Sequence, residues 1–244
     1  MYNRRPRIVA HRGASALAPE NTIIAFEWAR LLGAEAIEAD VRLSRDLIPV
    51  IIHDAYLERT TDGEGLVENK NWSEILKLDA GSWFDPSFQG VRVPSLAELL
   101  VWAKQHHMPV ILELKGSFID RDVFIKAVLN VIYDHGYMHA VTFSSYHDDL
   151  LYRLKQYAHN AQTALLYFYM QEPWRYAQEL GAIALHAAYP FLRKRHIMAA
   201  HERGLEVYVY TLSDDHDLRR ACDLGVDGVF TDRPELAIDM CERL

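Results

Sequence analysis

Cysteine and long apolar runs are nearly absent from this sequence. Its 244 residues include two cysteines, Cys222 and Cys241, and both fall in helix-like segments. Two cysteines so placed build neither a disulfide framework nor a cysteine metal site. No apolar stretch approaches the roughly 20 residues needed to cross a bilayer, and the start of the chain has no apolar signal-peptide core. We therefore expect no transmembrane segment and a reducing, cytoplasmic environment.

An excess of positive charge is also missing. The formal net charge is −8 at pH 7, which does not suit a protein that follows a nucleic-acid backbone, so nucleic acid is not an expected partner. Hydrophobic residues make up 50% and charged residues 25%, the balance of a folded globular protein rather than a disordered or fibrous chain. The length suits either one α/β barrel or two small domains.

What is present is a regular alternation of short β-branched runs with helical patterns. The runs are 7–10, 36–42, 110–114, 140–143, 162–166, 182–185, 206–210 and 227–230. About eight such units close a parallel barrel, so we predict a TIM (β/α)8 barrel spanning residues 1–244 as one catalytic domain. A doubly wound open sheet uses the same alternation, but its glycine-rich phosphate fingerprint is missing after the first run.

One segment departs from the repeat. Residues 47–53 have a strand pattern, yet too few residues separate them from the preceding strand for a helix to fit. Parallel neighbours need a longer crossover, so we predict an antiparallel hairpin that turns around 44–46 and brings His53 roughly opposite Glu38. Residues from about 54 to 93 are then an insertion after the second strand, expected to cover the barrel mouth.

Acidic residues stand at two strand ends, where the active sites of such barrels lie. Glu38 and Asp40 are two apart on one strand, as are Glu113 and Lys115 on another, so each pair projects from one face. Each carboxylate alone could equally form an ion pair with Arg12 or Lys115. The three together favour a shared divalent ion, Mg²⁺ or Ca²⁺, with Mn²⁺ as a further possibility.

Two histidines are predicted at the same mouth. His11 follows the first strand and precedes Arg12 and Gly13, and the hairpin brings His53 towards it. Histidines whose ordinary pKa is near 6.5 can supply the general base and the general acid that cleave a phosphodiester. Arg12, with its planar fork, and Lys115, as a point charge, would then neutralise the phosphate.

Several motifs in this order carry a resemblance to a known family. They are HRGASALAPENT (11–22), EADV (38–41), HD (53–54), LERTTDG (57–63), VPSLAELL (93–100), ELK (113–115) and DGVFTDRP (227–234). Their order and spacing make nearly the whole chain resemble the glycerophosphodiester phosphodiesterase family, most closely its cytosolic bacterial members. The motifs are individually weak and jointly specific.

The resemblance implies a residue-by-residue site. It implies metal binding by Glu38, Asp40 and Glu113, catalysis by His11 and His53, and phosphate binding by Arg12 and Lys115. We also assign to the substrate-binding region Glu20 and Asn21, which brace the histidine loop, and His186 and Tyr210 at two later strand ends.

The implied reaction is metal-dependent hydrolysis of glycerophosphodiesters, such as glycerophosphocholine or glycerophosphoethanolamine, to sn-glycerol 3-phosphate and an alcohol. One alternative is a phosphodiesterase that acts on lysophospholipid or phosphoinositide headgroups, although the acidic composition offers little support for a membrane-binding surface. The other is a non-catalytic phosphodiester-binding protein on an inherited fold. The chain is expected to be a monomer or a homodimer.

Overall fold

Strands and helices alternate along the structure, a computed structural model that describes residues 5–116 and 119–243. The strands in this part of the chain are β1 (Arg7–Ala10), β2 (Ala36–Leu43), β3 (Pro49–Ile51), β4 (Val110–Leu114), β5 (Val141–Ser145), β6 (Gln162–Tyr167), β7 (Ala184–Ala188), β8 (Glu206–Tyr210) and β9 (Gly228–Thr231). The helices are α1 (Ile23–Leu31), α2 (Trp72–Ile75), α3 (Leu96–Gln105), α4 (Arg121–His135), α5 (Asp148–Tyr157), α6 (Pro173–Glu179), α7 (Lys194–His201), α8 (Asp215–Leu224) and α9 (Pro234–Glu242).

The sheet closes on itself. Its order is β1-β9-β8-β7-β6-β5-β4-β2, and β1 also pairs with β2, so these strands form a ring in which every neighbour is parallel. This is the predicted TIM barrel. Three strands begin later than predicted: β5 begins at Val141 because residues 138–140 form a 3₁₀ turn, β7 begins at Ala184 because the Ala182 N–H still bonds to α6, and β9 begins one residue late, at Gly228.

The hairpin after β2 is present but short. β3 pairs antiparallel with β2, with Val41 opposite Ile51 and Leu43 opposite Pro49. The prediction of a strand over 47–53 was too long, because Leu47 takes a left-handed conformation (φ 64°) within the turn. The chain between β3 and α3 contains α2 and two 3₁₀ turns, and it buries a small apolar cluster of its own that includes Leu57, Val67 and Ile75.

Two apolar layers hold the barrel together. The outer layer lies between strands and helices and contains large side chains such as Phe26, Phe124 and Phe143. The inner layer fills the barrel and consists of Val9, Ala36, Ile111, Ala164, Ala184, Tyr208 and Phe230. Alternate residues of a strand face the same side, so the next inward positions of each strand lie directly above this inner layer.

The helix ends follow local sequence signals. Ser95 and Glu98 form the capping box at the start of α3, and the Thr22 side chain accepts a hydrogen bond from the Ala25 N–H at the start of α1. Within the described residues, no helix has the length and apolar character that a membrane crossing requires.

Gly13 allows the loop after β1 to pass close to α1. Its φ of +85° favours glycine, and a Cβ there would lie 2.6 Å from the Ala25 carbonyl carbon. Gly90 has a similar φ of +88° but nothing within 4 Å of such a Cβ. Only Gly13 therefore combines a left-handed backbone with a steric limit.

We expect Gly13→Ala to destabilise the fold more than Gly90→Ala. Both variants carry the left-handed penalty of about 1 kcal/mol, and Gly13→Ala adds an overpacking cost of about 1–3 kcal/mol. Urea denaturation of both variants measures the difference in the free energy of unfolding. Equal losses would show that the approach to Ala25 carries no steric cost.

Candidate active site

The site lies at the carboxyl ends of the barrel strands, directly above the inner apolar layer. On β2, Glu38 and Asp40 follow Ala36 at alternate positions, and on β4 Glu113 follows Ile111 in the same way. A pocket of about 170 Å³ opens there. Its walls are His11, Arg12, Glu38, His53, Glu113, Lys115, Ser144, Tyr146, Leu166, His186, Tyr210, Thr211 and Phe230.

Three buried carboxylates form a group that could bind a metal ion. One oxygen from each of Glu38, Asp40 and Glu113 lies within 4.8 Å of the others. Arg12 Nη1 contacts Glu20, while Arg12 Nε lies 3.3 Å from Asp40. Lys115 Nζ is 2.9 Å from Asp40 Oδ1 and 2.5 Å from Glu113 Oε1. The ion pairs considered as an alternative to metal binding are thus present for Asp40 and Glu113.

Those ion pairs leave Glu38 incompletely neutralised. Its Oε2 accepts a hydrogen bond from the Arg12 backbone N–H at 2.9 Å, whereas its buried Oε1 has no hydrogen-bond partner among the described residues. Burial and the neighbouring Asp40 raise the pKa of Glu38 to about 8. A buried oxygen without a partner beside two more carboxylates is an environment that a divalent cation compensates, so the residues present fit a metal ion.

Asp40 has the opposite electrostatic environment. Burial alone would raise its pKa, but Lys115 and Arg12 outweigh that effect and hold the pKa below its usual range. Burial and Asp40 raise the pKa of Glu113 despite its contact with Lys115. Asp40 is therefore the carboxylate most strongly held in the charged form by protein groups.

His11 is oriented by an aspartate from the far end of the chain. Its Nδ1 lies 2.7 Å from Oδ1 of Asp232, which follows β9, and the Ser15 hydroxyl donates to the same oxygen at 2.9 Å. Because Asp232 contacts Nδ1, the other ring nitrogen of His11, Nε2, is the one that Asp232 does not contact. No role for Asp232 was predicted, although it stands in the DGVFTDRP motif.

His53 is held in a similar way from the hairpin side. Its Nδ1 lies 2.5 Å from Asp54 Oδ1, and its backbone carbonyl accepts a hydrogen bond from Arg42 Nε at 2.8 Å. The Ile52 N–H bonds to the Asp40 carbonyl, which fixes the hairpin end beside β2. His53 thus lines the same pocket as His11, as the hairpin predicts, while Asp54 and Arg42 were missed as partners.

The loop from His11 to Thr22 holds its side chains through an unusual backbone. Arg12 (φ 55°) and Asn21 (φ 58°) are both left-handed without being glycine. Asn21 is 3% exposed and makes two hydrogen bonds to Asp40: Nδ2 donates to Oδ2 at 2.7 Å, and Oδ1 accepts from the backbone N–H at 3.1 Å. Asn21 and Glu20 therefore lie behind Asp40 and Arg12 rather than in the pocket wall.

The opposite wall of the pocket is aromatic. The Tyr210 hydroxyl donates to the Tyr167 carbonyl and accepts from the Tyr146 hydroxyl, both at 2.8 Å. His186 packs against the rings of Tyr208 and Phe230, and burial lowers its pKa to about 3. His186 is thus neutral and forms part of the floor of the site.

Comparison with known proteins now identifies the family. The family model described as "Glycerophosphoryl diester phosphodiesterase family" matches residues 11–236. The chain belongs to this family. A glycerophosphodiester phosphodiesterase of Caldanaerobacter subterraneus subsp. tengcongensis is 34% identical over 97% of the chain and 98% of its own length. One from Bacillus altitudinis is 31% identical over 98% of the chain and 99% of its own length.

Solved structures agree. A phosphodiesterase of Oleispira antarctica, in complex with the product sn-glycerol-3-phosphate, superposes with a TM-score of 0.93 at 31% identity and covers 97% of each chain. A glycerophosphodiester phosphodiesterase of Agrobacterium tumefaciens gives a TM-score of 0.85 at 32% identity over 96% of this chain and 99% of that one. The protein is therefore an enzyme, a phosphodiesterase, and the alternative of a non-catalytic binding protein is not supported.

We expect Asp232→Asn to lower kcat about 100-fold, less than the ~10⁴-fold loss when a serine-protease aspartate becomes asparagine. An amide can donate to His11 Nδ1 and so favour the wrong imidazole tautomer. Initial rates on a glycerophosphodiester measure the effect. Asp217→Asn is the matched control, because Asp217 also contacts a histidine, His216, but on the surface. Equal activity of both variants would contradict the orienting role of Asp232.

Proposed function

We propose that the protein hydrolyses glycerophosphodiesters, such as glycerophosphocholine and glycerophosphoethanolamine, to sn-glycerol 3-phosphate and an alcohol, with one divalent metal ion. The observation that carries the proposal is a single pocket that brings His11 and His53 beside Arg12, Lys115 and the carboxylate group. The product held by the Oleispira antarctica relative supports the same substrate class.

The two histidines move the protons of the reaction. One imidazole takes the proton of the attacking group, water or the glycerol 2-hydroxyl, as its oxygen bonds to phosphorus, and the other gives a proton to the alcohol oxygen as its bond to phosphorus breaks. Attack by water gives glycerol 3-phosphate directly, whereas attack by the 2-hydroxyl gives a cyclic phosphate that a water molecule then opens. A carboxylate contacts Nδ1 of each imidazole, Asp232 in the case of His11 and Asp54 in the case of His53. Nε2 is therefore the nitrogen of each ring that is available for proton transfer.

Arg12 and Lys115 neutralise the phosphate. Both line the pocket, and both are anchored by carboxylates: Arg12 by Glu20, which lies outside the pocket wall, and Lys115 by Asp40 and Glu113. Fixed donors of this kind stabilise charge that develops on the nonbridging oxygens without reorganisation. We assign Tyr210, on the opposite wall, and His186, in the floor, to the region that receives the organic part of the substrate.

Glu38, Asp40 and Glu113 would hold the metal ion, for which Mg²⁺ or Ca²⁺ is preferred and Mn²⁺ is possible. Such an ion supplies Lewis-acid polarisation of the phosphate oxygens. Glu38 contributes most directly, because its Oε1 is buried without a protein partner.

Two further assignments complete the proposal. The sequence contains only two cysteines, Cys222 and Cys241, and on this low content we assign the protein to a reducing, cytoplasmic environment. The segment from about 54 to 93 supplies Asp54 and Arg59 to the region around His53, in support of its predicted place at the barrel mouth.

The purified protein is expected to release sn-glycerol 3-phosphate from glycerophosphocholine. His11→Ala and His53→Ala should each lower kcat about 10²–10⁴-fold, because each removes one proton-transfer group. A coupled assay of glycerol 3-phosphate, run on a panel that includes a lysophospholipid and a phosphoinositide headgroup, measures the rates. His216→Ala, at an exposed histidine, is the control. Faster turnover of a lipid substrate would favour the alternative phosphodiesterase.

Metal removal should abolish the activity, and metal addition should stabilise the fold. A ligand that binds only the folded state at 100 times its Kd adds about 2.7 kcal/mol. Melting curves with Mg²⁺, Ca²⁺ or Mn²⁺ should therefore show a shift that Glu38→Gln loses. Asp214→Asn is the matched control, because Asp214 belongs to the other, exposed acidic group (Asp214, His216, Asp217) and Asn preserves its helix cap. Activity unchanged after exhaustive chelation would refute the metal role.

A further inference from the structure

The side chain of Arg59, in the insertion, bonds to Glu20 and Asp54, neither of which belongs to the carboxylate group or to the pocket wall. Its guanidinium forms a fork with two acids: Nη1 and Nη2 donate to Glu20 at 2.7 and 2.8 Å, and Nε donates to Asp54 at 2.6 Å. A further contact joins Nη2 to Asp54 Oδ1 at 3.2 Å. Only arginine offers a planar fork that can hold two carboxylates at once.

Glu20 and Asp54 each also contact a residue of the active site. Glu20 Oε1 also accepts from Arg12 Nη1 at 2.9 Å, and Asp54 Oδ1 also contacts His53 Nδ1 at 2.5 Å. One unbroken chain of polar contacts thus runs from Arg12 through Glu20, Arg59 and Asp54 to His53. Its two ends come from separate parts of the fold, the loop after β1 and the end of the hairpin.

The backbone that carries Arg59 is fixed independently of its side chain. Leu57, Thr60 and Thr61 are buried. The Thr61 hydroxyl and its N–H both bond to the Leu57 carbonyl, at 2.7 and 3.0 Å. Loss of the Arg59 side chain therefore leaves the turn in place and leaves Glu20 bonded to Arg12 and Asp54 bonded to His53, without the link between the two acids.

We propose that Arg59 is a positioning residue that sets Arg12 and His53 relative to each other, by joining Glu20 and Asp54 across the gap between the β1 loop and the insertion. The inference rests on the proposed phosphodiesterase reaction. Without Arg59, Glu20 can move together with Arg12, and Asp54 can rotate together with His53. The position of the phosphate-binding Arg12 relative to the proton-transfer group His53 is then no longer fixed. The two carboxylates also face each other with no cation between them.

The first experiment compares Arg59→Ala with wild type and with Arg45→Ala. Arg45 is the matched control, because it also joins the insertion, through Asn71 and Glu74, but far from the pocket wall. Arg59→Ala should lower kcat/KM for glycerophosphocholine about 10–100-fold, as loss of an orienting partner typically does, while Arg45→Ala keeps wild-type activity. Arg59→Lys should recover only part, because an ammonium cannot hold both acids in one plane.

Two readouts separate positioning from mere folding. The Arg59 side chain is 43% exposed, so added guanidinium ions can reach the vacated place and should raise the activity of Arg59→Ala but not that of wild type. In a Glu20→Gln, Asp54→Asn background, Arg59→Ala should change kcat/KM less than about twofold, because residues in one network are non-additive. Melting temperatures of all variants check the fold.

The outcomes are distinct. Wild type inactive on every diester would defeat the proposed function itself. Active wild type with an unimpaired Arg59→Ala variant would overturn the positioning role. An undiminished loss in the Glu20→Gln, Asp54→Asn background would also overturn it, because Arg59 would then act on the substrate directly. Guanidinium rescue together with the lost effect in that background supports it.

Discussion

The structure of the site depends on the mutual repulsion of three carboxylates at the mouth of an apolar barrel. Their oxygens lie close enough together to bind one ion. Burial penalises their charge, so positive groups must surround them. Lys115 and Arg12 supply positive charge next to Asp40, and Lys115 supplies it next to Glu113. Glu38 Oε1 has no such partner among the described residues, so an added cation would neutralise it. In the function we propose, the same charges that neutralise the acids also bind the phosphate of the substrate.

The barrel holds the three carboxylates close together because its strands are rigid. Inward residues of β2 and β4 rise from an apolar layer that includes Ala36 and Ile111, so the carboxylates cannot retreat into solvent. Asn21 fastens Asp40 from behind with two hydrogen bonds. A fixed set of charges of this kind needs little reorganisation when charge develops on a substrate.

Each histidine is paired with an acid, His11 with the distant Asp232 and His53 with its neighbour in sequence, Asp54. The orienting acids thus come from two distant parts of the chain, the residues after β9 and the start of the insertion. The orientation of His11, one of the two proposed catalytic histidines, therefore depends on the pairing of β1 with β9, which closes the barrel.

The sequence by itself determined the periodic units, the two-residue spacing of Glu38 with Asp40 and of Glu113 with Lys115, and the hairpin that returns His53, because strand period and loop length are local properties. Only the tertiary structure decided which distant groups meet. Three kinds of contact join residues 11 to 221 positions apart: Asp232 with His11, Arg42 with the His53 carbonyl, and Arg59 with Glu20. The contact of Arg59 with Asp54 is closer in sequence, but it lies in a turn whose direction is set by packing. The short β3 and the late start of β5 were likewise decided by turn and 3₁₀ geometry that alternation of residue types does not encode.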